Sequence, residues 1–157
     1  MIEYIVLDGK LSSEIERDFL EMGRAAFEES SFNGMIEYDE QKMLEVARTY
    51  SEMDHKLLVL AVDGDGRTVG VFAGYSAPWY FSSDSIARDV LWYVVEEHRS
   101  SGVGLMLLSI FEKWAKEKGA KSVWLGQDSG IDTSKFSRIL EAKGYSFIGA
   151  NYTLGVN

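Results

Sequence analysis

The chain has 157 residues, 46% of them apolar, with one proline, no cysteine and a formal charge of −9, a size and composition that fit one globular domain and exclude a disordered or low-complexity protein. The negative charge argues against nucleic acid as a partner, because binding a phosphate backbone needs a basic footprint, whereas an acidic surface keeps a protein soluble and also steers cationic amines toward it. Without cysteine there are no disulfides, thiolate metal sites or thiol nucleophiles; His55 and His98 lack metal-ligand spacing, no run approaches the roughly 20 apolar residues of a membrane span, and Met1-Ile2-Glu3-Tyr4 lacks the basic start of a signal peptide, so a metal-free, cytoplasmic protein is expected.

Glu3 to Leu7 is β-branched and aromatic and ends at Asp8-Gly9, a strand followed by a turn signal. From Ser13 onward Ile15, Phe19, Met22, Ala26 and Phe27 recur at three- and four-residue steps, and Ser12 or Ser13 can cap the start, which predicts a helix to about Glu29. After the loop Ser30-Ser31-Phe32-Asn33-Gly34 a second helix begins near Asp39, carries Met43, Val46, Ala47 and Tyr50 on one side, and stops before Asp54. Leu57 to Val62 and Thr68 to about Trp79 read as strands, joined by Asp63-Gly64-Asp65-Gly66, whose Asp-Gly pairs favour a tight hairpin turn. Val90 to Val95 is almost continuously apolar, the pattern of a central strand buried on both faces.

A helix follows from about Gly104 to Lys118, with Val103, Leu107, Ile110 or Phe111, and Trp114 as its buried stripe and Gly119 as its stop. Ser122 to Leu125 reads as a strand, Ser134 to Lys143 as a helix, and Tyr145 to Val156 as one or two last strands interrupted at Gly149. The expected order is β-α-α-β-β-β-α-β-α-β, in a single domain without repeats or linkers. The unit from Val90 to Leu125 requires a parallel crossover.

The junction Val94-Val95-Glu96-Glu97-His98-Arg99-Ser100-Ser101-Gly102-Val103-Gly104 sets small residues and two glycines between a buried strand and a helix. Such a turn exposes unpaired N–H groups at the positive end of the helix dipole, where a phosphate or pyrophosphate can bind. Arg99 adds a charge-assisted donor, either to phosphate or as an anchor that shapes the loop. The same glycines also suit plain tight packing. The absence of a Gly-Lys-Ser/Thr ending excludes a P-loop, and the absence of a third glycine excludes the dinucleotide fingerprint.

Arg99-x-x-Gly102-x-Gly104, behind a strand ending Val94-Val95 and ahead of an amphipathic helix, resembles the acyl-CoA signature of the GNAT N-acetyltransferase superfamily. Glu112-Lys113-Trp114-Ala115-Lys116-Glu117-Lys118-Gly119-Ala120 and Glu141-Ala142-Lys143-Gly144-Tyr145 are similar to later segments of that family. The resemblance implies an α/β fold with a central, mostly antiparallel mixed sheet of six to seven strands, about four helices, and a splayed parallel strand pair forming the acyl-CoA cleft. It also implies an N-acetyltransferase that moves an acetyl group from acetyl-CoA to a primary amine of a small molecule or protein. Ser100, Ser101, Gly102, Val103 and Gly104, with Arg99, would hold the CoA pyrophosphate; Val94 and Val95 would offer backbone groups to the pantetheine arm; Thr133 stands where an asparagine is frequent. The thioester would lie near Tyr93 and Leu125.

The family's usual tyrosine acid, four residues before Gly144, is Leu140 in this chain, which motivates a second reading: an inactive acyl-CoA-binding or protein-interaction module. A third is a different α/β protein that binds a nucleotide through the same loop. Tyr93 and Tyr75, on expected central strands, are candidate acids, although a tyrosine there more often packs in a core with its hydroxyl satisfied. Asp89 or Asp84 could accept the amine's proton, Asp89 being preferred. His98 and the acids Glu96 and Glu97 read as structural, and Lys135 and Arg138 as an exposed helix face or as contacts to the adenosine phosphates. Trp79-Tyr80-Phe81 and Phe32 suit an acceptor pocket, a core or a homodimer contact.

Overall fold

The computed structural model describes residues 1–156. Its elements are β1 (Glu3–Val6), α1 (Ser13–Glu29), α2 (Glu40–Glu52), β2 (Lys56–Val62), β3 (Thr68–Pro78), β4 (Ser85–Val94), a 3-10 turn (Glu96–His98), α3 (Val103–Glu117), β5 (Val123–Trp124) and α4 (Thr133–Ala142). The helices begin where the sequence supplies caps: Ser12 Oγ accepts the Ile15 N–H at 3.3 Å and Asp39 Oδ1 accepts that of Lys42 at 3.1 Å. No helix among the described residues is long and apolar enough to cross a membrane.

The strands form one sheet in chain order, antiparallel from β1 to β4, with β5 parallel to β4. Alternation along β2 divides the core. Leu57, Val59 and Ala61 face Leu107, Leu108 and Phe111 of α3, while Leu58 and Leu60 face Phe19, Met22 and Ala47 of α1 and α2. The result is three layers, with α1 and α2 on one face of the sheet and α3 on the other. Phe136 places α4 beside α3's face, its ring centroid 5.2 Å from that of Trp92.

Two expectations need correction. The strand read as Val90 to Val95 begins at Ser85, and Val90 is 49% exposed rather than buried on both faces. The sheet has five strands among the described residues, not six or seven, because 145–156 carries no ladder. Phe147, Tyr152, Leu154 and Val156 are all largely exposed. A strand exists only against a partner edge, and β5, two residues long, gives this segment little to pair with.

At Gly74 α3 packs tightly against the sheet. A Cβ there would lie 2.5 Å from the Phe111 ring and 2.8 Å from the Arg88 carbonyl. Gly74→Ala is therefore expected to destabilise the fold by about 1–3 kcal/mol in urea denaturation, the usual cost of overpacking.

Candidate active site

The site begins with a break in the β3–β4 ladder. Ala73 pairs with Leu91 and Gly74 with Asp89, so Val90 has no partner and bulges outward. A bulge bends and twists its strand. β4 is joined to β5 only through Ala87 with Val123 and Arg88 with Trp124; beyond that point no ladder connects the two strands. The gap has Asp89 to Val94 as one wall and the residues from Leu125 onward as the other.

The Val95 N–H donates to the Val69 carbonyl at 3.0 Å, and the Val95 carbonyl accepts the His98 N–H at 2.9 Å. Antiparallel alternation then turns the backbone groups of Val94 and Trp92 away from β3, toward the gap. Val94 keeps its expected orientation as a strand edge, whereas Val95 has its backbone committed elsewhere. Trp92 is the residue that takes its place on that edge.

Gly102 caps α3 at φ +85° without a side-chain cap bond. A Cβ built on it would meet nothing within 4 Å. The first helical bond at this end runs from the Met106 N–H to the Gly102 carbonyl at 3.0 Å, so the amides of Val103, Gly104 and Leu105 have no acceptor within the helix. These groups, at the positive end of the dipole beside open space, fit a pyrophosphate. Ser101 does not join them: its N–H and Oγ both donate to the His98 carbonyl, at 3.2 and 2.7 Å. Ser100 is exposed. His98 lies close enough to Asp63, at the β2–β3 turn, to help lower that carboxyl's pKa, away from the gap.

Arg99 acts as a brace. Its Nε donates to the Val94 carbonyl at 2.9 Å and its Nη2 to Glu29 Oε1 at 2.6 Å, and its guanidinium lies 5.4 Å from the centre of the Tyr93 ring. The Tyr93 hydroxyl donates to the same Glu29 oxygen at 2.8 Å. Burial and the Glu29 carboxylate push the Tyr93 phenol up to about 12, and its ring belongs to the core under α1 and α2. The Tyr93 hydroxyl proton is thereby held by Glu29, on the α1/α2 side of the sheet. Tyr75 pairs with Lys56 and Arg88 in the sheet and is close enough to influence the Tyr50 phenol of α2, so it faces the α1/α2 layer. Sequence reasoning missed Glu29, yet carried a signal for it: Glu28 and Glu29 end α1 with no basic residue in its last turn, an unfavourable place for negative charge unless a cation lies nearby.

Asp89 sits at the bulge, and its Oδ1 accepts the Gly126 N–H at 2.9 Å, so it bridges the two walls. Burial raises its carboxyl to about 6, against the opposing effect of that amide bond. Asp84 lies in the β3–β4 turn, its N–H taken by Ser82 Oγ at 3.0 Å, away from the gap. Thr133 is exposed at the first turn of α4, after Asp132 at φ +46°. The Tyr145 hydroxyl donates to Glu112 at 2.7 Å, and burial followed by that carboxylate raises its pKa well above the ordinary phenol value, with Asp89 contributing. The Trp79 ring lies 5.0 Å from those of both Tyr80 and Trp124, tilted against each, with Arg88 5.4 Å from the Trp79 ring centre. Tyr80 and Phe81 are more than three-quarters exposed, so the cluster forms a surface platform rather than a core.

Residues 18–134 match the model of the acetyltransferase (GNAT) family. No curated protein matches the chain. Among solved structures, AAC(6')-Iy in complex with the bisubstrate analog CoA-S-monomethyl-acetylneamine superposes with a TM-score of 0.77 at 12% identity, over 100% of this chain and 99% of that one. The aminoglycoside antibiotic 6'-N-acetyltransferase AAC(6')-Ih from Acinetobacter baumannii gives 0.72 at 16%, over 100% and 99%. The ribosomal-protein-alanine N-acetyltransferase from Brucella melitensis biovar Abortus 2308 gives 0.71 at 13%, over the whole of both chains. At these identities the superpositions bear on the fold.

The left-handed angle of Gly102 makes any β-branched replacement strained in itself, whereas asparagine and aspartate both tolerate that region. Gly102→Asn and Gly102→Asp then differ only in charge. By calorimetry the aspartate variant is expected to bind CoA about tenfold more weakly than the asparagine variant at low salt, at equal melting temperature, with the gap narrowing as salt rises.

Proposed function

We propose, from the premise that this chain belongs to the acetyltransferase (GNAT) family and is an acetyl-CoA-dependent N-acetyltransferase, that Asp89 is its general base and that its acceptor is a small cationic amine. The observation that carries the first part is the position of Asp89: a carboxylate at the β4 bulge, held by the amide of the opposite wall and poised to titrate near neutrality. The α3 amides of Val103 to Leu105 would hold the pyrophosphate, and the Val94 N–H with the Trp92 backbone would hold the pantetheine arm as an added strand does.

Acetyl-CoA supplies an acyl thioester, an electrophilic carbonyl with a good leaving group. Asp89 takes the proton of the ammonium, directly or through one water, and so frees the nitrogen lone pair for the carbonyl. As the N–C bond forms, the nitrogen's second proton passes to water, the C–S bond breaks to release CoA as thiolate, and Asp89 then returns its proton to solvent. An ordinary thiol has a pKa of about 8.5, so the sulfur can leave as thiolate near neutral pH without a dedicated acid. That removes the difficulty posed by Leu140, which packs against the α3 core.

Support for a cationic acceptor comes from the formal charge of −9, which raises the local concentration of cations, and from the exposed Tyr80 and Phe81 rings, whose faces attract ammonium groups. The aminoglycoside acetyltransferases among the structural neighbours fit the same choice. A thiol-release assay over a panel of small polyamines, aminoglycosides and amino-terminal peptides tests it, and turnover confined to peptides would refute it.

Two measurements check Asp89. In the wild type, kcat/KM is expected to rise about tenfold per pH unit below about 6 and to lose that limb above it; Asp89→Asn should remove the limb and lower the rate by about 10²–10⁴-fold. Stability should move the other way. The folded-state pKa is raised, so the charged form costs stability, fully above about 6 and not at all below the unfolded value of about 3.9. Because asparagine keeps an oxygen for the Gly126 amide, Asp89→Asn is expected to stabilise the protein at pH 7.5 by about 2 kcal/mol, discounted for residual solvent access, and to give no gain at pH 3.5.

A further inference from the structure

We propose that Glu29 to Ser31 form a clasp across the two walls of the cleft, and that Glu29 is a positioning residue which sets cofactor affinity through Arg99. This rests on the acetyltransferase reading of the cleft. On the β4 wall, Glu29 Oε1 receives both the Tyr93 hydroxyl and the Arg99 guanidinium, and Arg99 in turn holds the Val94 carbonyl. Two residues further on, the Ser31 N–H donates to the Ser129 carbonyl at 2.7 Å, and Ser31 Oγ donates to that of Asp128 at 3.3 Å. Asp128 and Ser129 belong to the loop that follows β5 and continues the opposite wall.

Between these anchors the chain turns at Ser30, which is 8% exposed and donates through both N–H and Oγ to the Phe27 carbonyl, at 3.1 and 2.7 Å. The strap therefore leaves α1 on a fixed heading and crosses the sheet on its α1/α2 face. Past Arg88 no ladder sets the separation of β4 and β5, and the clasp supplies a second tie there beside the Asp89 bond to Gly126.

The strong end is Glu29. Two donors, one of them cationic, converge on one oxygen, and charge-assisted bonds of this kind are roughly twice as strong as neutral ones. Arg99 uses two of its five N–H donors in the brace. Fixing the guanidinium on Val94 fixes the start of the turn that leads to Gly102, so the α3 amides are held in place before any ligand arrives, which lowers the cost of binding.

Calorimetric titration of CoA into the wild type, Glu29→Gln and Ser31→Pro tests the clasp. Glutamine keeps the shape and one acceptor but removes the charge. Proline removes the donor to Ser129, and Ser30, at φ −79° and ψ 162°, has the extended backbone that a following proline requires. Each variant is expected to weaken CoA binding by about tenfold, and the double variant by little more than either, because a strap released at one end no longer spans the gap. In steady state Glu29→Gln should raise the KM for acetyl-CoA about tenfold with kcat within about threefold, a split that general loss of stability would not produce. Unchanged or tighter CoA binding in Glu29→Gln overturns the clasp; tighter binding would mean that Glu29 competes with phosphate for Arg99. No CoA binding to the wild type would overturn the acetyltransferase reading itself.

Discussion

The structure depends on one unpaired residue. Because Val90 has no partner on β3, β4 changes direction just beyond Arg88, the last point at which β5 is paired to it. A regular ladder would have filled the space between these strands with backbone hydrogen bonds. The bulge instead leaves the edge formed by Trp92 and Val94 facing open space, sets the Asp89 carboxylate across it, and ends the strand at the turn that exposes the α3 amides. The proposed cofactor edge and the proposed base thus share one geometric origin. The core on either face survives the interruption because its side chains alternate along β2 and β3, where the pairing is continuous through most of its length.

Charge in the site follows from burial and contact rather than from the overall balance. The protein is strongly acidic, yet its cleft has a neutralised centre, with Arg99 and Glu29 satisfying each other beside Tyr93. What remains for an anionic ligand is mainly fixed dipole, in the amides of α3. Such donors are already oriented and need no reorganisation when charge arrives. A long basic side chain in their place would first have to be ordered.

Much of the fold was legible in the sequence, because helices, caps and tight turns are local. Ser12 and Asp39 mark helix starts, Asp63 to Gly66 marks a hairpin, and Gly119 marks a helix end. The glycine turn ahead of α3 was legible for the same reason, since two glycines between an apolar strand and an amphipathic helix form a local pattern. Asp89 was recognised as a candidate by its place before that strand. Its raised pKa was not, because that comes from burial, which outweighs the lowering effect of the amide of Gly126, 37 residues further along the chain. The bulge is invisible in a run of apolar residues, where an exposed valine looks like a buried one. The contacts of Tyr93 and Arg99 depended on Glu29, 64 and 70 residues away, and the direction of the Val95 amide is decided by alternation along the strand, not by composition. The segment 145–156 shows the converse: apolar residues suited to a strand do not make one without an edge to join.

The shortness of β5 has a further consequence. One wall of the cleft lies within an antiparallel ladder broken once, at Val90, while the other hangs from two register pairs and a few loop bonds. Two walls of such unequal rigidity open unequally, and the weaker one should give way at a lower free-energy cost than global unfolding. A molecule that bridges them resists that opening in proportion to the logarithm of its concentration over its dissociation constant. If the acyl donor binds in this gap as proposed, its supply is expected to slow any opening at β5 and so to lengthen the lifetime of the folded chain.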